Sequence, residues 1–202
     1  MSPDPNSKPN TTAFKEWSVI CQALGSGRQS IILRKGGIHE GRAGFQFQHD
    51  AFALFPTRFH EQEKHVRPGE LPDSWEGQGK EFQVGEPVSV DFWAQLEGVG
   101  TLADWEQIAT LEPLHIWDET TIRDRFECAL SDGDPPAINI ALVRVFRLGA
   151  GWEFPYERGH GGCRSWIEVP PMPESIRHAR QPVLDDDAFN KIKDRFASLA
   201  DK

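Results

Sequence analysis

From Val88 to Glu97 apolar and polar residues alternate without a break. Val88, Val90, Phe92, Ala94 and Leu96 stand against Ser89, Asp91, Trp93, Gln95 and Glu97. A period of two sends successive side chains to opposite faces of a strand, so one face is buried and the other at least partly wet. That pattern favours an antiparallel sheet. A second strong strand, Ile138 to Leu148 (INIALVRVFRL), is apolar on both faces except at Arg144 and Arg147. The core must form on a sheet.

The remaining elements are read around these two. Thr11 or Thr12 can cap a helix over Ala13 to Leu24, where Trp17, Ile20, Cys21 and Leu24 recur at helical spacing and Gly25-Ser26-Gly27 stops it. Ser30 to Arg34 suits a short buried strand. Phe45 and Phe47 sit on odd positions, Phe52 and Leu54 on even ones, which predicts a hairpin turn or bulge at His49-Asp50. Pro56 should end the second of these strands. Glu61 to Pro87 is polar and rich in Gly and Pro, so it reads as a long loop with at most one helical turn. Helices are expected over Leu102 to Leu111 and, after an Asp118 cap, Glu119 to Leu130. Ser165 to Val169 makes a last short strand. A C-terminal helix follows, with Asp185 to Asp187 at its positive end and Phe189, Ile192, Phe196 and Leu199 as its apolar stripe.

The fold class expected is α+β: a mostly antiparallel, barrel-like sheet flanked by helices, plus a C-terminal helix. The organisation expected is a disordered tail over 1–12, one α+β domain over 13–169, and a Pro-rich connector and helix packed on it over 170–202. With 202 residues the chain is long enough for one sizeable core. No run approaches the about 20 apolar residues of a membrane span. The first twelve residues, MSPDPNSKPNTT, lack the apolar segment of a secretory signal. Cys21, Cys128 and Cys163 are few, odd in number and scattered, which fits reduced thiols in a cytoplasm and no zinc-finger spacing.

A net charge of −9 argues against a surface that binds polyanions everywhere. The charge is unevenly spread, however. Arg28 to Arg67 holds seven basic and four acidic residues, whereas 68–202 holds thirteen and twenty-five. A positive patch on an acidic body can receive an anion at one face, although chance clustering of surface charge is equally compatible.

Four groups of residues are candidates for chemistry. Three His–acid dipeptides, His39-Glu40, His49-Asp50 and His60-Glu61, recur within the segment Ile31 to Glu61. Converging at one end of the sheet, His39, His49 and His60 could hold Zn²⁺ or another divalent ion; His39, Glu40 and His60 could instead relay protons near neutral pH. Their spacing matches no ligand signature, and polar residues at strand ends and turns explain it as well. Arg34 and Lys35 end a strand before Gly36-Gly37, whose backbone can approach an anion closely or simply form a tight turn. Arg144 shares its parity with Ile138, Ile140, Leu142, Phe146 and Leu148, so its guanidinium needs a partner. Asp91 or Glu97 is the expected structural partner, and a ligand anion the sharper alternative. Finally, Gly159-His160-Gly161-Gly162-Cys163-Arg164-Ser165-Trp166 could form an anion-binding nest that activates a thiol, but a glycine-rich lead into a strand, with Cys163 as a small buried hydrophobe, is the favoured reading.

The motifs AFKEWSVICQAL, ILRKGGIHE, FALFPTRFHE, LHIWDETTIRDRF, LVRVFRL and GCRSWIEV occur in order from Ala13 to Val169. In this the chain resembles a bacterial family known as domain of unknown function 1802. The resemblance implies shared motifs rather than an activity. It differs at Phe59-His60-Glu61, where such proteins carry an aromatic followed by His-Gln. The order of strands and short helices is also similar, at the level of fold, to the small barrels of PUA and ASCH domains. That likeness implies a cleft for RNA, nucleotides or modified bases beside the barrel, with Arg34, Lys35 and aromatics such as Trp93 or Trp117 near it.

Two functions therefore compete, beside a scaffold with no ligand. One is a binding module for nucleic acid or a nucleotide-like anion, using Arg34, Lys35, Gly36, Gly37, His49, Thr57 and Arg144. The other is a hydrolase, a nuclease or phosphoesterase, in which the histidines and neighbouring carboxylates hold a metal or act as acid and base. Composition names no cofactor and no oligomeric state.

Overall fold

A computed structural model of the chain describes residues 11–35, 46–73, 75, 80–127 and 136–200. Its spine is the pair read most readily from the sequence. The strands Pro87–Leu102 (β4) and Ile138–Pro155 (β5) run antiparallel along nearly their whole length, from Pro87↔Pro155 to Leu102↔Ile138. Val88, Val90, Phe92 and Ala94 are buried, as their alternation requires. Register shifts at Val90/Phe92 and Leu96/Gly98 bend the ribbon, as β-bulges do.

Around this spine lie Thr11–Trp17 (β1), Ile31–Arg34 (β2), Ala51–Thr57 (β3), Trp166–Val169 (β6) and the two-residue Gln181–Pro182 (β7). The sheet order is β2-β5-β4-β3-β1-β6, with β7 also on β5. Every pairing is antiparallel except β1 with β3. The sheet curls without closing. Its edge strand β2 reaches β1 through a side chain, since Arg34 donates to the Lys15 carbonyl and pairs with the Glu16 carboxylate at 3.6 Å.

Helices fill the inside and flank of the curl: Ser18–Gly25 (α1), Trp105–Ala109 (α2), Glu119–Glu127 (α3), Glu174–His178 (α4) and Asp186–Ala200 (α5). The larger core cluster joins α1, α2 and α3 to the sheet, and Phe189 and Phe196 of α5 complete it. A smaller cluster gathers Phe55, Phe82, Val88, Val90, Trp152 and Phe154. Gly25 is where α1 meets the sheet, because a Cβ there would lie 2.0 Å from the Phe92 ring. Asp118 caps α3 by accepting from the Thr121 N–H, and Asp185 caps α5 through Ala188.

Three expectations need correction. The predicted helix over Ala13 to Leu24 is a strand up to Trp17 and a helix only from Ser18. Thr11 and Thr12, assigned to the tail and to a helix cap, are strand residues opposite Val169 and Glu168. Tertiary pairing on both sides of β1 buries Ala13 and Phe14 and overrides the local helical spacing. The predicted hairpin at His49-Asp50 does not form among the described residues, since 46–49 carry no strand and β3 pairs with β1 and β4. Pro56 sits inside β3 rather than beyond it. It is tolerated because the ladder to β4 already stops at Ala53.

Candidate functional site

Where β1 and β3 end, beside the turn after β5, a cavity of about 470 Å³ opens to solvent. Its size falls within the range of ligand pockets. Four cationic side chains reach its wall from four parts of the chain: Lys15 of β1, Arg34 of β2, Arg58 after β3, and Arg164. Among the described residues Glu81 is the one carboxylate in the wall itself, while Glu16 and Glu86 pair with Arg34 and Arg58 from outside it. The rest of the wall is largely aromatic, with Trp17, Phe55, Phe59, Phe82 and Tyr156.

Each cation is positioned by an identifiable contact. The Lys15 ammonium donates to the Gly162 carbonyl at 2.6 Å. Burial holds its pKa below the ordinary lysine value; Cys163 opposes that fall, while Arg164 and Arg34 add to it. Arg34 packs its guanidinium over Phe14 at 4.8 Å, and its Nε is buried without a hydrogen-bond partner among the described residues. Arg58 donates to Glu86 at 2.7 Å and lies 3.9 Å above the Phe82 ring. Arg164 donates to the Gly159 carbonyl at 3.2 Å.

The aromatic wall is also ordered. Phe82 and Tyr156 stack at 5.6 Å with 16° between their planes. Trp17 meets Phe59 edge-on at 4.3 Å and Trp117 at 4.7 Å. Thr57 donates its hydroxyl to the Glu16 carbonyl.

His160 is 3% exposed and lies among Phe55, Phe154 and Tyr156. Burial lowers its pKa; Glu157 opposes this and Lys15 reinforces it. Its Nδ1 accepts from the Glu157 N–H at 3.0 Å, so the neutral ring carries its proton on Nε2. The imidazole can donate there, and this tautomer is not primed to take a proton. The following loop turns at Gly162 with φ +77, a conformation glycine adopts without cost.

Of the residues singled out from sequence, Arg34 and Thr57 line this cavity. Lys35 does not, although its Nζ is buried with no hydrogen-bond partner among the described residues. His49 lies against Trp166 at 4.8 Å and His60 is exposed; neither is in the cavity wall. Gly36, Gly37, His39, Glu40, Phe45 and Cys128 fall outside the described residues. Among the described residues no group of three or more metal-binding side chains converges.

Arg144 pairs with Asp186 of α5, which corrects the expected partners: Asp91 accepts from Ser89, and Glu97 pairs with Lys193. The helix supplies the counter-charge because α5 packs on this face of the sheet. Trp93 lies under Arg180, and Trp117 is buried behind Trp17; neither borders the cavity. Cys163, read as a buried hydrophobe, is exposed on the cavity wall, because the turn at Gly162 brings it to the surface.

Sequence reasoning missed Lys15, Arg58, Phe82 and Tyr156, and named Arg164 only as part of the glycine-rich run. Only Arg164 carried a local signal, the glycine-rich run around it. The others are spread over more than 140 residues of chain.

Two solved structures align with most of the chain: the crystal structure of ASCH from Zymomonas mobilis, and that of a serine-to-alanine mutant of the same ASCH protein. The first is 14% identical with a TM-score of 0.41 and covers 91% of this chain and 93% of its own. The second is 15% identical with the same score and covers 91% and 94%. No curated protein sequence matches the chain. No described helix is long and apolar enough to cross a membrane. Residues 13–195 match the family described as Domain of unknown function (DUF1802), beyond Val169 and into the C-terminal helix, and the chain belongs to that family.

Proposed function

We propose that this cleft binds a nucleotide-like anion, either free or as an unpaired nucleotide of single-stranded nucleic acid. One observation carries the reading: Lys15, Arg34, Arg58 and Arg164 line one cavity whose described wall holds a single carboxylate, next to stacked aromatic rings, in a chain of net charge −9. Cations concentrated in a cleft attract and hold phosphate. Planar rings beside them offer a base a stacking surface that is indifferent to its identity. Neutral His160 adds a donor rather than a counter-charge. The hydrolase alternative through His39, His49 and His60 has less support, because His49 and His60 stand outside the cavity wall.

The test is binding of a labelled single-stranded RNA and of inorganic pyrophosphate to the full chain. Lys15→Ala combined with Arg164→Ala is expected to weaken both about tenfold, while melting changes little. Wild-type affinity for the RNA should fall with salt, by about −0.7 in log–log slope per phosphate contact. Affinity that is unmoved by salt and by the double variant would rule the cleft out.

A further inference from the structure

Phe82 and Arg58 line two cavities at once. On one side is the main cleft; on the other is a hollow of about 130 Å³ bordered by Ser18, Gln22, Ser89 and Asp91. Phe82 contacts both the Arg58 guanidinium, 3.9 Å from its ring centre, and the Tyr156 ring, which is near-parallel to it at 5.6 Å. Strand β3 also separates the two sides, with Phe55 and Thr57 facing the cleft and Leu54 and Pro56 facing the hollow. Phe82 belongs to the connection ahead of β4, which docks through the Gln83–Glu86 turn, with Gly85 at φ +89 and backbone bonds between Tyr156 and both Gly85 and Glu86. Beside that strand the Phe82 and Arg58 side chains are what the two hollows share as a wall.

The two sides differ in charge. The main cleft carries the cations named above, whereas Asp91, which accepts from the Ser89 hydroxyl at 2.9 Å, gives the far hollow a carboxylate with capacity for further donors. An elongated ligand lying across the partition would meet positive charge at one end and a hydrogen-bond acceptor at the other. A nucleobase entering the slot would exchange ring for ring with Phe82, keeping both the cation–π and the stacking contact.

We propose that the hollow beside Asp91 is a second subsite of the same groove. It is opened when the Phe82 ring turns aside, and it takes the amino-bearing edge of a nucleobase whose phosphate lies at Lys15 and Arg164. This rests on the anion-binding reading of the cleft and adds the base, its orientation and a residue that controls entry. Carboxylates accept from the amino group of cytosine, so cytosine and adenine should be favoured over uracil.

Calorimetry with CMP, AMP, UMP and inorganic pyrophosphate on the full chain separates the outcomes. Phe82→Ala is expected to tighten CMP and AMP about tenfold and leave pyrophosphate unchanged. Adding Asp91→Ala, which removes the acceptor, should cancel that gain and bring CMP and AMP to the level of UMP. Phe82→Leu retains apolar volume and should show the same order of ligands if Phe82→Ala fails to fold. The subsite is overturned if removing the ring weakens all three nucleotides while pyrophosphate still binds, because Phe82 is then a fixed stacking wall. It is equally overturned if Asp91→Ala changes nothing. Loss of pyrophosphate and nucleotide binding in the wild-type chain would instead sink the cleft itself, and the subsite with it.

Discussion

Two regions of this molecule contain nearly the same residue types and differ in what those residues have left to offer. On the far side of Trp17 from the cleft, a hollow of about 230 Å³ is lined by Arg67, Trp105, His115 and Trp117, among others. The arginine in its wall, and two more packed on its tryptophans, are occupied. Arg67 donates to the carbonyls of His115 at 2.7 Å and Trp117 at 3.2 Å. Arg125 lies between Trp117 at 3.8 Å and Trp17 at 5.2 Å, and Arg123 covers Trp105 at 3.9 Å while pairing with Glu119. In the cleft Lys15, Arg34 and Arg58 are likewise engaged, but the bond from Arg164 to the Gly159 carbonyl accounts for one of its five guanidinium donors. Arginine, tryptophan and histidine in proximity do not define a site; unused donor capacity facing open space does.

Substitutions that remove one cation at a time from each region test that contrast. The largest effect is expected at Arg125, whose enclosure lowers its pKa to about 10 and whose charge faces buried Glu16. Arg125→Ala should cost about 3 kcal/mol in urea unfolding, since it leaves that carboxylate under-compensated and the Trp17–Trp117 gap unfilled. A loss below about 1 kcal/mol would break the contrast.

His115 comes next. It is 5% exposed, and burial, aided by Arg67 and Arg125, holds its pKa at about 3. The unfolded imidazole titrates near 6.5. Between these values the unfolded chain binds a proton that the folded chain refuses, so stability falls as pH drops through the window. From pH 6.5 to 5 the wild-type chain should lose about 1.5 kcal/mol more than His115→Gln. Equal slopes in denaturant titrations would contradict the buried, neutral assignment.

The smallest effect on stability is expected at the cleft. Arg164→Ala should change unfolding by less than about 0.5 kcal/mol, while still weakening RNA and pyrophosphate. If it destabilised the chain as strongly as Arg125→Ala, the two regions would be alike and the cleft merely structural.

How much of this was legible depends on the reach of each interaction. The long strands announced themselves because alternation is local: Val88 to Leu96 needs no partner to be recognised. The amphipathic stripe of α5 and the Asp118 and Asp185 caps were readable for the same reason. β1 was misread because its burial comes from neighbours remote in sequence, Ala53 on one side and Ile167 on the other. Arg144 posed the right question, since a guanidinium on an apolar parity needs a counter-charge. Its answer, Asp186, lay 42 residues away.

The sequence by itself determined that this chain builds a sheet-centred α+β core with a capped C-terminal helix, since periodicity and capping act over a few residues. It also marked Arg34 and the glycine-rich run ending in Cys163 and Arg164 as unusual. Only the tertiary structure decided that these two meet, with Lys15, Arg58, Phe82 and Tyr156 between them, and that His49 and His60 stay outside. A cavity belongs to the spaces between elements, and those are set by strand order and by which donors the fold has already occupied.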